Sequence, residues 1–400
     1  MTDGSVVCLV TIHGIGFEQA PENGTPGYAD GLHEHLSVAL GDDLLGDDPG
    51  RTRTRPGENG PVYVQSLWPP GKPTREQGLA RLGTWSSRAE RQIEIAGVPL
   101  VNGGQRIAHV ALVYSHLEAQ GPHAGSGLVA ASMAMAQAGH YASVLGLARM
   151  VFVDTSAMLA HHDTGSSATD SSLRVRQSAL AEHLGPRLPF AHGSAAAPPA
   201  DPSGLLVTFR NLENDVAAYV SRNDLRERVR AFVREALIRI ASRPDVAGIV
   251  VNSHSNGTVV AFDVLSDLPR VFAERVWWLM TAGSPLRKYT ELFNWGSDGG
   301  SLRALRGWTN FWDRMDPVAD PLAPPAGWRL GDLVQPAVAG AGLYQSLNPD
   351  SGMLESIPIE DQEVDNVTNS RGGGLRAHNY WDNETEVVRS VAATLKQMLS

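Results

Sequence analysis

An α/β architecture, a mostly parallel sheet with helices on both faces, is what this sequence predicts, and three observations predict it. Short apolar runs rich in β-branched residues recur at positions 6–12, 108–114 and 249–251, as strands buried on both faces require. Stretches of helical periodicity separate and follow them, most clearly at positions 211–240 and at the C-terminus. The third observation is a strand, a tight turn and a helix compressed into VAGIVVNSHSNGTVVAFDVL at positions 246–265, with one serine at the turn.

The first strand, positions 6–12, runs into His13-Gly14-Ile15-Gly16. Glycines at 14 and 16 let the chain turn tightly and bring backbone amides close to whatever lies above the strand. Cys8 lies within this strand and is read as a core residue rather than a nucleophile or metal ligand. As the only cysteine, it cannot form an intrachain disulfide. The basic run Arg51-Thr52-Arg53-Thr54-Arg55 sits among Gly, Pro and Asp and reads as a solvated loop. Positions 62–68 and 108–114 are expected to be further strands of the sheet.

The middle of the chain differs in character. Positions 125–160 are apolar and rich in small residues, broken by Gln137, His140, Arg149 and Asp154, so helices are expected that are too short in apolar length to span a membrane. Positions 161–204 are enriched in Ala, Ser, Pro, Gly and His without a sustained period. The expectation is a single domain over 1–400 with a large insertion at 125–204, either a lid over a site or an ordinary surface excursion. His161-His162-Asp163 invites a metal reading, but no second ligand set stands at a recognisable spacing, so no metal site is predicted. Helical periodicity resumes at 211–240, with Val229, Phe232, Val233, Leu237 and Ile240 on the apolar side. This helix should pack beside the strand that follows it.

Ser253-His254-Ser255-Asn256-Gly257 has the small-x-Ser-x-Gly form of a nucleophile elbow, with serine where glycine usually stands first. A serine hydroxyl is a poor nucleophile until a histidine takes its proton and a carboxylate orients that histidine. Both partners follow in the chain. Asp316 closes the aromatic, strand-like stretch at 308–318, and His378 lies after Gly372-Gly373-Gly374 and before a C-terminal helix expected from about Glu384. Alternatives stand beside each. Ser255 could be a helix-capping serine in a non-catalytic sheet. His378 is one of 13 histidines and could be a surface or core residue. Asp313 and Asp320 lie within one loop's reach of Asp316, with Asp313 placed to pair with its neighbour Arg314. His254 should point away from the reaction, and His13 comes too early in the chain to be the base. Tryptophans between Trp277 and Trp328 could line a pocket or fill the core.

The order serine, acid, histidine, together with the early His-Gly-x-Gly loop, resembles the α/β-hydrolase superfamily, particularly its lipase and esterase-like serine hydrolases. The resemblance covers the first strand with its loop and positions 245–400, and leaves the middle unmatched. It implies that the backbone N–H groups of Ile15 and Asn256 form an oxyanion hole, supported by the motif residues His13, Gly14, Gly16, Ser253 and Gly257. It further implies hydrolysis of a carboxylic ester through an acyl-enzyme, on a small acyl ester or lipid-like substrate, without a cofactor or metal. Thioester or amide hydrolysis and acyl transfer use the same chemistry. A hydrolase-fold protein that binds a ligand or partner without turnover is the expectation from another class.

Bulk properties fit these expectations. The 400 residues are 42 % hydrophobic and 19 % charged, as in a globular protein with a large core. A net charge of −10 and a pI near 5.7 argue against generic nucleic-acid binding, because phosphates would be repelled over most of the surface. Met1-Thr2-Asp3-Gly4 lacks the basic start of a signal peptide, so a cytoplasmic location without stable membrane insertion is expected.

Overall fold

The apolar runs form the centre of a parallel sheet. The computed structural model describes residues 5–14, 21, 26–41, 43–49, 60–65, 100–101, 103–114, 223–287, 290, 298–316, 318–323, 343–348, 350–370 and 376–400. The predicted insertion at 125–204, the 51–55 basic run and the His161-His162-Asp163 cluster lie outside the described residues. In chain order the elements are β1 (Val6–Ile12), α1 (Asp30–Leu40), β2 (Leu45–Gly46), β3 (Val62–Gln65), β4 (Ile107–Val113), α2 (Asn223–Ala241), β5 (Val246–His254), α3 (Asn256–Ser266), α4 (Arg270–Ala273) and β6 (Val276–Ala282). There follow β7 (Gly307–Trp312), β8 (Gln345–Leu347), β9 (Leu354–Ser356), β10 (Glu360–Glu363), α5 (Asn366–Asn369) and α6 (Arg389–Leu399).

The main sheet runs β10-β7-β6-β5-β1-β4, with β2 and β3 sharing the outer edge of β4, and every pairing in it is parallel. Parallel strands must be covered on both faces, and alternation along β1 shows how. Val6, Cys8, Val10 and Ile12 pack with α2 and α3 through Val229, Phe232, Val233, Leu237 and Ile240 and through Val260 and Val264. Val7 and Leu9 pack on the other face with Leu32, Leu36 and Leu40 of α1 and with Val391, Leu395 and Met398 of α6. The expected helix at 211–240 thus packs where predicted, over its described part. Burial pushes the Cys8 thiol up to about 12, so it stays protonated and inert within the core.

Strand order fixes where a site can form. The chain leaves β1 towards β4, β2 and β3, then returns on the opposite side of β1 as β5, β6, β7 and β10. Because α1 covers one face and α3 the other, the connections after β1 and β5 part to opposite faces. A crevice must open between them at the carboxyl ends of these two strands, the position where open α/β sheets bind ligands. No helix among the described residues is long and apolar enough to cross a membrane.

Two sequence expectations change in detail. Three of the tryptophans described on β6 and β7 are core residues, with Trp308 buried against Phe262 and Tyr344 and donating to the Thr281 hydroxyl and Trp277 and Trp312 filling the α1/α6 layer, while Trp278 is half-buried. Arg314 pairs with Glu363 at 2.9 Å rather than with Asp313. The sequence GWTNFW is aromatic because it packs between layers.

Beneath the crevice runs a buried polar chain. Thr11 Oγ1 is 2.8 Å from His109 Nε2, His109 Nδ1 is 3.0 Å from His33 Nδ1, and His33 Nε2 is 2.9 Å from Asp47 Oδ1. The two rings stack at 5.2 Å. With both rings neutral the protons have one arrangement: His33 Nε2–H donates to Asp47, His109 Nδ1–H donates to His33, and Thr11 donates to His109. Burial, reinforced by the neighbouring His33, holds His109 well below the ordinary histidine range.

This arrangement predicts acid sensitivity. Below the unfolded value near 6.5 the unfolded chain takes up a proton that the folded His109 refuses, so its stabilising contribution is complete above pH 6.5 and is lost as pH falls. In urea unfolding below pH 6.5 this group is expected to cost stability with a slope that rises towards a limit of about 1.4 kcal/mol per pH unit. His109→Gln should flatten that slope; an unchanged slope would show that His109 titrates normally.

Candidate active site

β5 ends in a turn that a serine rarely adopts. Ser255 has φ 54° and ψ −128°, and is the only non-glycine residue with positive φ among the described residues. Such a conformation costs on the order of 1–3 kcal/mol and persists only where the surroundings impose it. Here they do. Ser255 N–H donates to the Ala282 carbonyl at the end of β6, and its own carbonyl accepts from the Thr258 N–H at 3.0 Å and the Thr258 hydroxyl at 2.7 Å. The Thr258 hydroxyl also lies 2.9 Å from the Ser284 hydroxyl.

Close approach explains the small residues of the motif. A Cβ on Gly257 would sit 2.2 Å from the His13 carbonyl oxygen and 2.6 Å from that of Ile12, so α3 starts directly against the end of β1. A Cβ on Gly14 would meet the Ser255 Cβ at 2.5 Å. Ser253 stands where glycine is usual because its hydroxyl is satisfied by the Met280 carbonyl at 3.0 Å. His13 is structural: its Nε2 accepts from the Tyr114 N–H, which leaves Nδ1–H to donate to the Gly14 carbonyl at 2.5 Å. The ring also stacks on Tyr114 at 4.0 Å.

The histidine and the acid arrive from the far side of the sheet. His378 Nδ1 lies 2.7 Å from Asp316 Oδ2, and both residues are buried. Asp316 also accepts from the Val318 N–H at Oδ1 and from the Tyr380 hydroxyl at Oδ2. Burial pushes the Asp316 carboxyl up, but His378 beside it and these hydrogen bonds outweigh burial and hold it below the usual carboxylate range. The other two aspartates do other work. Asp313 accepts from the Met315 and Asn366 N–H groups, and burial raises it to about 6 despite those bonds. Asp320 is buried, its backbone N–H on the Ser284 carbonyl and its carbonyl on Asn310.

His378 lies next to the serine turn. The His254 ring, one residue before Ser255, is 4.6 Å from the His378 ring, and its Nε2–H donates to the His378 carbonyl at 2.9 Å. His254 therefore points towards the histidine loop rather than away from the site, which the sequence reading missed. Burial first, then the neighbouring His378, lowers His254 to about 3, so it is a neutral donor at any ordinary pH. Gly283 adjoins both elements: it follows Ala282, which receives the Ser255 amide, and a Cβ there would sit 2.8 Å from His378 Cε1. Ser255 Oγ and His378 Nε2 are buried and carry no hydrogen bond among the described residues.

Aromatic rings frame this end of the sheet. Tyr28 packs edge-on against His13 at 5.0 Å and lies 6.0 Å from Trp381, which in turn lies 5.1 Å from His254. Isolated tyrosines and a tryptophan in loops gave no sequence signal for this collar. Of the proposed oxyanion donors, Asn256 is the first residue of α3, where the helix offers no acceptor for its N–H. Ile15 and Gly16 lie outside the described residues. No group of three or more His, Cys, Asp or Glu among the described residues could hold a metal ion.

No protein-family model matches the chain, and neither does any curated protein or solved structure. The described residues define an α/β protein in which the carboxyl ends of the sheet strands bring a strained serine beside a histidine–aspartate pair.

The crossing of α3 over β1 predicts that glycine is required at 257. Gly257→Ala is expected to lower stability in urea unfolding by roughly 1–3 kcal/mol, because a backbone carbonyl cannot yield as a side chain can. Gly31→Ala in α1, where a Cβ meets nothing within 4 Å, is the control and should be neutral or slightly stabilising. Equal midpoints for the two variants would remove the close crossing.

Proposed function

We propose that the protein is a serine hydrolase that cleaves a carboxylic ester through an acyl-enzyme, with the α/β-hydrolase type of site. The observation that carries this reading is the strained Ser255 turn placed beside the His378–Asp316 pair at the switch point of the sheet. A helix-capping serine would need neither the strained backbone nor a neighbouring histidine held by a buried carboxylate.

In this mechanism Ser255 Oγ bonds to the ester carbonyl carbon while its proton passes to His378 Nε2. Asp316 Oδ2 holds the Nδ1–H and stabilises the imidazolium. The oxyanion that forms is met by the Asn256 amide at the start of α3, and one well-placed donor of this kind is worth roughly 2.7–4 kcal/mol. Collapse breaks the bond to the leaving alcohol, which takes the proton from Nε2. Water, deprotonated by the same nitrogen, then releases the acid and restores the serine. The Tyr28 and Trp381 rings suit an apolar acyl group, in keeping with a small acyl ester or lipid-like substrate. Thioesters and amides differ only in leaving group, and acyl transfer only in acceptor.

Treatment with a fluorophosphonate probe followed by peptide mapping is expected to give one adduct, on Ser255, absent from Ser255→Ala. On a reactive short-chain ester, Ser255→Ala should lower kcat by roughly 10⁴–10⁶. Folded parent protein without an adduct, or a Ser255→Ala variant that turns over at the parent rate, would leave only a binding role for this site.

A further inference from the structure

The loop that carries the histidine also supplies a phenol to the acid. Tyr380 is fully buried two residues after His378, and its oxygen makes two hydrogen bonds, 2.9 Å to the Asp313 backbone nitrogen and 2.9 Å to Asp316 Oδ2. The donors settle the direction. A backbone N–H can only donate, so Asp313 N–H points at the phenol oxygen, and the single phenol proton is left for the carboxylate. That proton lands on the same oxygen that receives His378 Nδ1–H. The imidazole and the phenol thus compete for one oxygen of Asp316.

We infer that Tyr380 is a positioning residue that fixes the Asp316 carboxylate at Oδ2 and sets how strongly that carboxylate supports the His378 imidazolium. The inference rests on the serine hydrolase reading for its effect on turnover. Its geometric basis is separate: a hydroxyl wedged between the backbone of one aspartate and the side chain of another, three residues apart, joins the acid loop to the histidine loop at a single atom. Burial and the two flanking carboxylates keep the phenol protonated, so it is a permanent donor.

Two consequences follow. The phenol proton withdraws charge from Asp316 Oδ2; without it the oxygen is more basic, the imidazolium is better stabilised, and His378 holds its proton to higher pH. The active form of the site needs neutral His378 as base, so the acid limb of the kcat/KM profile moves up. A purely packing role for Tyr380 would lower activity evenly across pH and leave the limb in place.

The test is Tyr380→Phe in the full chain, which keeps the ring and removes the hydroxyl. Far-ultraviolet circular dichroism and a thermal melt establish that the variant is folded. The pH dependence of the fluorophosphonate labelling rate and of ester kcat/KM is then compared with the parent. The expected result is an acid limb displaced upward by on the order of half a pH unit, with kcat reduced and KM little changed. A fluorinated tyrosine at 380, a stronger donor of nearly the same shape, is expected to displace the limb downward, and it serves if the phenylalanine variant does not fold. A limb unmoved in a folded variant, or moved the same way by both replacements, overturns the inference. NMR titration of the His378 ring in parent and variant reads the same shift without turnover. If the parent neither labels nor hydrolyses esters, the hydrolase reading fails alone, and an upward shift of the His378 titration in Tyr380→Phe still supports the positioning role.

Discussion

The close crossing of α3 over the end of β1 is the contact on which the rest of the site depends. With Gly257 against the His13 carbonyl and Gly14 against Ser255, two connections that leave the sheet towards opposite faces are held in contact at their first residues. The backbone at Ser255 must turn sharply to make this approach, and its positive φ is the cost. That cost is offset by hydrogen bonds to the turn, from its amide to the Ala282 carbonyl and from Thr258, itself in contact with the Ser284 hydroxyl, to its carbonyl. Removing the side chains at 14 and 257 is what lets the strain exist at all.

Electrostatics then separates aspartates that composition cannot. Asp313 and Asp316 leave the same strand end, are both buried, and both accept two or more hydrogen bonds, yet burial lifts one to about 6 and the other stays below the ordinary range. The difference is His378. Backbone amides stabilise a carboxylate through fixed dipoles, whereas an imidazole that can become a cation stabilises it through charge, and in a buried setting the charge is worth more. Asp313 is better described as a staple. By receiving the Asn366 amide, whose side chain donates to the Ala377 carbonyl at 2.7 Å, it anchors the residue immediately before the histidine.

How much of this was legible in the sequence follows from where each signal lies. β1, β4 and β5 are central strands, so their apolar runs announced them, and the serine turn was visible because its constraints fall within five consecutive residues. β10 is the opposite case. Glu-Asp-Gln-Glu has no strand character, and it joins the sheet at an edge because Asp361 accepts from Asn310 on β7 and from the Leu322 and Ala323 amides that end the acid loop. Choosing among Asp313, Asp316 and Asp320 was likewise beyond sequence, since the deciding partner is 62 residues away. Tyr380 and His254 went unrecognised for the same reason: each acts through hydrogen bonds across a long separation, and none of these bonds leaves a periodic or local mark.

The same logic explains why Gly283 matters as much as the residues that carry the chemistry. The serine is referenced to β6 through Ala282, and the histidine is referenced to β7 through Asp316 and to the C-terminal segment through Asn366 and Asn383. These supports meet at His254, one residue before Ser255, whose Nε2–H donates to the His378 carbonyl at 2.9 Å. Gly283, with φ +64°, has its hydrogen facing His378 Cε1 and Tyr380, where a methyl group would be 2.8–2.9 Å away. A side chain there would displace the His378 ring. The seat of that ring therefore depends on a residue with no side chain, through the room it leaves, as well as on the bonds from Asp316 and His254.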